Sequence, residues 1–277
     1  MFDAADNAFR KRIGPALPPD PGLRPALLCA NGPSLVRDIQ SISREGYGQV
    51  AVVNLMATTD YFEMLRPTCY FIQDRVWFEK NSSTYEKLQQ VFRALNEKVS
   101  WEMVLCVPGP YAEEFQRSKL ITNQFIEIRS FDGRGLRSGR LGTVNSDFSV
   151  RTRMLIFLWN RSLLYPPLES VASTALFELI RTHPLRIDLV GLDMTMGRDL
   201  ALDASGSLGY FPRHFYGKFA EAAPNHAPTT STAHAYIYLS KKFHLFHLLS
   251  EYARGNRVPV LNRTADTLLD SFPVSRQ

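Results

Sequence analysis

From residue 25 onward, short and nearly continuous apolar runs alternate with longer stretches in which apolar residues recur every three to four positions. The runs "ALLCA", "VAVVN", "CYFIQ", "EMVLCV" and "RIDLVGLD" read as strands, and 35–45, 58–65, 79–97 and 170–182 read as helices between them. Strands without a polar face are covered on both sides. The pattern therefore predicts an α/β fold, Rossmann-like, with a mostly parallel sheet and helices on both faces. In such sheets ligands bind beyond the carboxyl ends of the strands. Near the end, "STAHAYIYLSKKFHLFHLLSEYARG" reads as a long helix stopping at Gly255, followed by a final strand "VPVLN".

Two segments break the alternation. Residues 1–22 read as an N-terminal extension, a short amphipathic piece followed by the proline-rich "PALPPDPG", which leaves 23–277 as one α/β domain. The apolar face of the extension, Phe2, Phe9 and Ile13, suits a peripheral membrane contact, a sister subunit of a homo-oligomer, or its own domain. Residues 194–232 are polar, rich in Gly and Pro, and carry Tyr210, His214, Tyr216 and His226. An irregular insertion of this length with aromatic residues reads as a lid over a site.

Composition narrows the class. Hydrophobic residues make up 45% of the 277 and charged residues 21%, an ordinary globular balance. No apolar run reaches the roughly 20 residues that cross a bilayer, and the N-terminus lacks the apolar core of a secretion signal, so the expected compartment is the cytoplasm. Cys29, Cys69 and Cys106 each sit inside an apolar run at spacings that match no metal or redox motif, and read as buried small hydrophobes. The net charge is +5, with seven arginines between 129 and 161, so an anionic partner is expected. Nucleic acid is not, because no base-stacking aromatic repeat accompanies the arginines.

The candidate chemistry lies at the predicted strand ends. The first strand runs into Asn31, Gly32, Pro33 and Ser34, where glycine permits close backbone approach and proline suits a first helical turn. Free N–H groups at the start of a helix there would favour an anion such as phosphate. The second strand ends with Asn54 and the third with Gln73 and Asp74, so three strands deliver amides or a carboxylate to one edge. Hydrogen bonds from these groups suit a base, a ribose and a phosphate held without a metal. Asp193 closes the "RIDLVGLD" strand, where it organises the lid or meets ligand.

"LLCANGPSL", the asparagine-ended second strand, "SVASTALFELIRTHPLRIDLVGLDMT" and "APNH…STAH" together resemble the bacterial sialyltransferases of glycosyltransferase family 42. The opening motif and the Gly-x-Asp strand also resemble motility accessory proteins that glycosylate flagellin and the hydroxymethylpterin diphosphokinase-like group. The resemblance implies a GT-A-variant Rossmann-like transferase that uses a CMP-activated sialic acid or related ulosonic acid, needs no metal or other cofactor, and inverts the anomeric centre. It implies nucleotide-sugar contacts from Asn31 and Asn54, with Gln73 or Asp74 at a position where the family has asparagine. A family serine falls near Ser170, with Ser173 as the alternative.

Met194 and Thr195 stand where a phosphate-stabilising tyrosine is expected, leaving Tyr210, Tyr216 and Arg213 of the lid to supply that role. The family arginine before the serine has no counterpart in "LLYPPLES". For the base that deprotonates the acceptor, His234 matches once a small gap is allowed, with His226 and His214 as alternatives; a neutral imidazole near a helix N-terminus suits that task. The implied acceptor is a glycan or lipid-linked glycan at the inner face of the membrane. Two other readings stay open: a nucleotide- or pterin-processing phosphotransferase, which needs magnesium and convergent carboxylates such as Asp74 and Asp193, and a non-catalytic nucleotide-binding relative.

Overall fold

The computed structural model describes residues 16–18, 23–78, 85–131, 136–137, 150–198, 200–202, 208–210, 213–214, 217–218 and 232–275. Its centre is a seven-stranded sheet built from β1 (Ala26–Cys29), β2 (Gln49–Val53), β3 (Cys69–Phe71), β4 (Met103–Pro108), β5 (Ile126–Phe131), β8 (Ile187–Val190) and β13 (Val260–Asn262). The order is β13-β8-β1-β2-β3-β4-β5 and every pairing is parallel, while β6 (Leu136–Arg137) and β7 (Leu164–Tyr165) form a separate parallel pair. The chain runs outward from β1 in one direction and, after β5, restarts on the other side of β1. The order therefore reverses between β1 and β8, the place where a doubly wound sheet opens a crevice at its carboxyl edge.

The strands are apolar because both faces are covered. Along β1, Ala26 and Leu28 pack into one core cluster while Leu27 and Cys29 pack into the other. The first cluster holds α5 (Val150–Asn160), α6 (Val171–Arg181) and α7 (Thr232–Gly255), and is centred on Trp159, Phe177 and Tyr252, with ring centroids 5.1–5.7 Å apart. The second holds α2 (Tyr61–Leu65), α3 (Tyr85–Lys98) and α4 (Gly109–Arg117). The predicted α/β class, strands and long terminal helix are all present, and α7 ends at Gly255 as its sequence indicates. The three cysteines are buried and unbridged, and burial pushes the Cys69 thiol up to about 12.

Three expectations change. The helix read over 35–45 is a four-residue α1 (Leu35–Asp38) continued by 3-10 turns at Ile39–Ser41 and Arg44–Gly46. The edge strand β5 and helix α4 do not figure in the sequence reading. In β5 only Ile126 and Phe131 are buried, so no apolar run marks it. The described parts of the 194–232 insertion are not wholly irregular: β9 (Leu200–Leu202) pairs antiparallel with β10 (Leu208–Tyr210), and β11 (Arg213–His214) with β12 (Gly217–Lys218). Among the described residues no helix is long and apolar enough to cross a membrane.

Residues 16–18 of the N-terminal segment lie in the fold. Ala16 and Leu17 are buried in the first cluster, and Gln49 Nε2 donates to the Pro18 carbonyl at 2.7 Å. Ala16 N–H donates at 2.8 Å to Glu178, a carboxylate wholly buried in α6. Glu178 also accepts from Tyr165 Oη at 2.8 Å and from Arg181 at 3.1 Å. Both carboxylate oxygens that burial removes from water are thus met by protein donors. Truncation at this site strands the buried Arg181 and two further donors, so Glu178→Ala is expected to cost about 3–5 kcal/mol, and Glu178→Gln, which keeps the acceptor, distinctly less. Urea unfolding midpoints at constant slope measure both, and limited proteolysis near residue 16 reports the release of the segment.

Candidate functional site

The crevice at the switch point is formed by two turns that lock together. Ala30 N–H donates to the Val190 carbonyl at 2.9 Å and Gly32 N–H to the Gly191 carbonyl at 2.8 Å, extending the β1–β8 pairing past both strand ends. Gly191 has φ +65°, and a Cβ there would lie 2.9 Å from the Ala30 carbonyl oxygen and 2.8 Å from Leu35 Cβ, so glycine is required on both counts. A Cβ on Gly32 would lie 1.9 Å from Asp193 Oδ2. The glycine of Asn-Gly-Pro-Ser thus makes room for an acidic side chain of the same protein.

That carboxylate occupies the place the sequence assigns to an external anion. Asp193 Oδ2 accepts from Ser34 Oγ at 2.9 Å and from Ser34 N–H at 3.4 Å, and the residue is 5% exposed. Asp38 stands behind it, accepting from Gly191 N–H at 3.4 Å and from the Arg37 guanidinium at 3.0 Å. A second anion about 4 Å from a charged Asp193 meets a repulsion of roughly 4 kcal/mol at an effective dielectric of 20. The start of a helix returns about 1 kcal/mol at most, and α1 has four residues. The Ser34 N–H that the sequence offers to an external anion is thus taken by a carboxylate of the same protein. Pro33 also departs from expectation: it is exposed and precedes the helix, whose first cap is Ser34.

The carbonyls next to Asp193 are fixed from the far end of the chain. Leu268 N–H donates to the Asp193 carbonyl at 2.9 Å, Thr267 Oγ1 to the Leu192 carbonyl at 2.8 Å, and Leu192 N–H to Thr264 Oγ1 at 3.2 Å. Asp38, Thr264 and Thr267 are absent from the sequence reading. The signal was present only in part: Asp38 lies one helical turn after Ser34, and "NRTADT" follows the last strand of a parallel sheet, hence at the ligand edge.

Asn54 follows β2, beside this crevice. Its φ is +53°, a left-handed conformation that asparagine tolerates better than most residues. Its backbone is held: the N–H donates to the Phe71 carbonyl at 3.1 Å, and the carbonyl accepts from Tyr70 Oη, which itself takes the Ala57 N–H at 3.1 Å. The side-chain Oδ1 is buried and accepts no hydrogen bond among the described residues. Asn31 is half-buried just past β1. Strand order sets these residues, with Ser34 and Asp193, at the carboxyl ends of the adjacent strands β2, β1 and β8.

The remaining candidates lie elsewhere on the same edge. Gln73 has both ends of its amide engaged, donating to the Leu168 carbonyl at 3.1 Å and accepting from Thr174 Oγ1, and so ties the end of β3 to the start of α6. Ser170 caps α6 by accepting from Ser173 N–H at 3.2 Å, while Ser173 Oγ donates to the Ser170 carbonyl at 2.7 Å. Asp74 is exposed beyond β3. Three strand spacings, roughly 14 Å, separate the ends of β3 and β8, so Asp74 and Asp193 do not form one carboxylate pair. Helix α7 leads into β13 and must run antiparallel to it, which sets its first turn, with the His234 backbone, at the carboxyl edge near the 3-10 turn Thr195–Arg198. Tyr216 and the side chains of Tyr210, Arg213 and His234 lie outside the described residues.

Burial raises the pKa of Asp193, the Ser34 hydrogen bonds oppose the shift, and the Asp38 charge adds to it. A carboxyl whose folded pKa lies above its unfolded value holds its proton more tightly when folded, so its contribution to stability grows as pH falls through the folded pKa towards the unfolded one. Asp193→Asn keeps an acceptor for Ser34 and removes the titration. The melting-temperature difference, wild type minus variant, is therefore expected to rise on acidification from pH 7 to 4; a flat difference would mean an unshifted group. Gly32→Ala forces the Asp193 carboxylate out and is expected to destabilise by about 2–3 kcal/mol, measured by urea unfolding.

No family model matches the chain, and no curated protein matches it. Among solved structures, it is similar to the MAf glycosyltransferase from Magnetospirillum magneticum AMB-1, at 14% identity and a TM-score of 0.45 over 91% of this chain. The chain spans about a third of that protein, 33% of its length.

Proposed function

We propose that the chain is a glycosyltransferase that moves a sialic acid or related ulosonic acid from a CMP-activated donor to a glycan or lipid-linked glycan acceptor, with no metal. The observation that carries the reading is the unsatisfied, buried Oδ1 of Asn54 beside a crevice whose other lining group, Asp193, is also an acceptor. A buried acceptor without a partner costs about 1–3 kcal/mol, which a ligand donor restores. Two acceptors at a switch point suit a nucleoside, whose ribose hydroxyls and exocyclic amine donate, better than a phosphate.

The donor accordingly lies with its nucleoside against Asn31, Ser34, Asn54 and Asp193 and its phosphate directed away, towards the insertion that carries Tyr210, Arg213 and Tyr216. There the leaving CMP phosphate gains hydroxyl and guanidinium donors as charge develops on it. His234, in the first turn of α7, is the candidate base: as the acceptor oxygen attacks the anomeric carbon, its proton passes to the imidazole and the bond to the phosphate breaks. The insertion excludes water, which otherwise hydrolyses an activated sugar. The cytoplasmic face of a membrane suits a lipid-linked acceptor.

A thermal-shift panel of cytidine, CMP, UDP, GDP and ADP tests the donor class. CMP and cytidine are expected to stabilise the protein and the other nucleotides not to; stabilisation by a purine nucleotide alone overturns the reading. Asn54→Ala is expected to weaken CMP about tenfold or more, read by affinity, because on the unliganded melting temperature the loss of an unpaired buried acceptor and the strain of alanine at φ +53° oppose each other. His234→Ala is expected to leave CMP binding intact and to lower sugar transfer by about 100-fold or more.

A further inference from the structure

Helix α7 has 24 residues and is about 36 Å long, whereas the neighbouring strands β8 and β13 span roughly 10–13 Å. Its buried positions Ala235, Leu239, Lys242, Phe246, Leu249 and Ala253 are spaced by four and three, and so form one inward stripe. From Phe246 onward the stripe belongs to the first core cluster, while Ala235 and Leu239 are buried outside it. Lys242 stands at the boundary. It lies about 20 Å along the helix from Gly255, enough to carry it from the amino edge past the strands to their carboxyl ends. Met194, the residue after Asp193, packs against the same cluster as Phe246, and α7 touches the 3-10 turn Thr195–Arg198 that follows.

Lys242 is 8% exposed. The other charged side chains buried to that degree among the described residues, Asp38, Glu178, Asp188, Asp193 and Glu251, are acids, and each accepts a hydrogen bond or pairs with an arginine. Among the described residues Lys242 forms neither an ion pair nor a hydrogen bond. Its Nζ lies instead 4.6 Å from the centroid of the Tyr238 ring, one helical turn nearer the N-terminus. The ammonium is therefore aimed along the helix towards the carboxyl edge, away from the core beneath it. A lysine that only reached for water would stand on the exposed side of the helix, where Ser240 and Lys241 are. An aromatic face returns less than a counter-charge, so this buried cation lacks the partner that burial ordinarily demands.

We infer that Lys242 binds an anionic oxygen group of the substrate on the α7 side of the crevice. The inference rests on the nucleotide-sugar reading above and adds a charge to it. Asn54 Oδ1 and Asp193 offer acceptors to a nucleoside, whereas the donor's phosphate and the carboxylate of an ulosonic acid are anions that a cation must meet. Lys242 supplies one from a regular helix, with its direction set by Tyr238. Because the side chain is already out of water, its attraction to an anion that reaches it is stronger than at the surface. Phosphate and carboxylate oxygens offer Lys242 the same chemistry.

The test compares the full-length wild type with Lys242→Met, which keeps an unbranched stem and removes the charge, by thermal shift and isothermal titration at constant ionic strength. The unliganded variant is expected to melt at an equal or higher temperature, since it loses an unpaired buried charge. A clear drop marks Lys242 as structural and overturns the inference. Inorganic phosphate, which makes no nucleoside contact, is expected to stabilise the wild type and not the variant. If the margin by which CMP binds more tightly than cytidine falls at least tenfold in the variant, the charge belongs to the phosphate. If that margin holds while N-acetylneuraminate no longer binds the CMP-saturated variant, it belongs to the carboxylate. Equal responses of the two proteins to phosphate, CMP and N-acetylneuraminate overturn the inference, and leave the nucleotide-sugar reading standing where CMP still binds. A phosphate response that requires Lys242, with no binding of CMP or cytidine, keeps Lys242 as an anion site and overturns that reading instead.

Discussion

The hydrogen bonds from Ser34 to Asp193 join residues 159 positions apart, and the site depends on them. They link the first strand's exit turn to that of β8 at the one place where the sheet reverses its order. Gly32 and Gly191 are glycines because this joint leaves no space for a Cβ at either position. Asp38, Thr264 and Thr267 are arranged around it, so the acid is held by groups from the first helix and from the chain's last loop. A carboxylate locked in this way fills, from within the protein, a turn of a kind often associated with phosphate.

The two ends of the strands divide the work. At the carboxyl edge, Ser34 and Asp193 are joined, and after the neighbouring β2 the Asn54 Oδ1 accepts no hydrogen bond among the described residues. Towards the amino edge, Asp188 of β8 is wholly buried and fully engaged, accepting from Tyr47 Oη at 2.7 Å, from Arg186 at 3.1 Å and from Arg263 at 3.3 Å. Burial and the Asp188 hydrogen bond push the Tyr47 phenol up to about 12, so it keeps its proton as a donor at any pH the protein meets. Satisfied polar groups hold elements together; unsatisfied ones at a crevice select ligands.

Much of the architecture was legible in the sequence because strands buried on both faces leave unbroken apolar runs, and those runs alone imply a parallel sheet with its ligand edge. The residues at strand exits, Asn31, Asn54 and Asp193, could be named for the same reason. Edge strand β5 was not legible, since Glu127, Arg129 and Ser130 interrupt its apolar pattern. Nor was the shortness of α1, whose sequence continues to favour helix while tertiary packing bends it into 3-10 turns. The occupation of the Gly-Pro-Ser turn by Asp193 could not be read at all. It depends on β8 lying next to β1, a neighbour relation that no local pattern encodes.

The attachment of Ala16 to Glu178 spans 162 residues and has a consequence for the order of events during synthesis. At about 5–20 residues per second, roughly 10–30 seconds separate the appearance of one partner from that of the other. During that interval Ala16 and Leu17 have no core to enter, and β1 and β2 emerge with β8 still unmade. Two apolar residues next to freshly exposed strands would ordinarily invite misplaced pairing. Here Pro15 and Pro18 flank them and bring no N–H to a ladder, so the nascent end cannot extend a sheet before its own place in the protein exists.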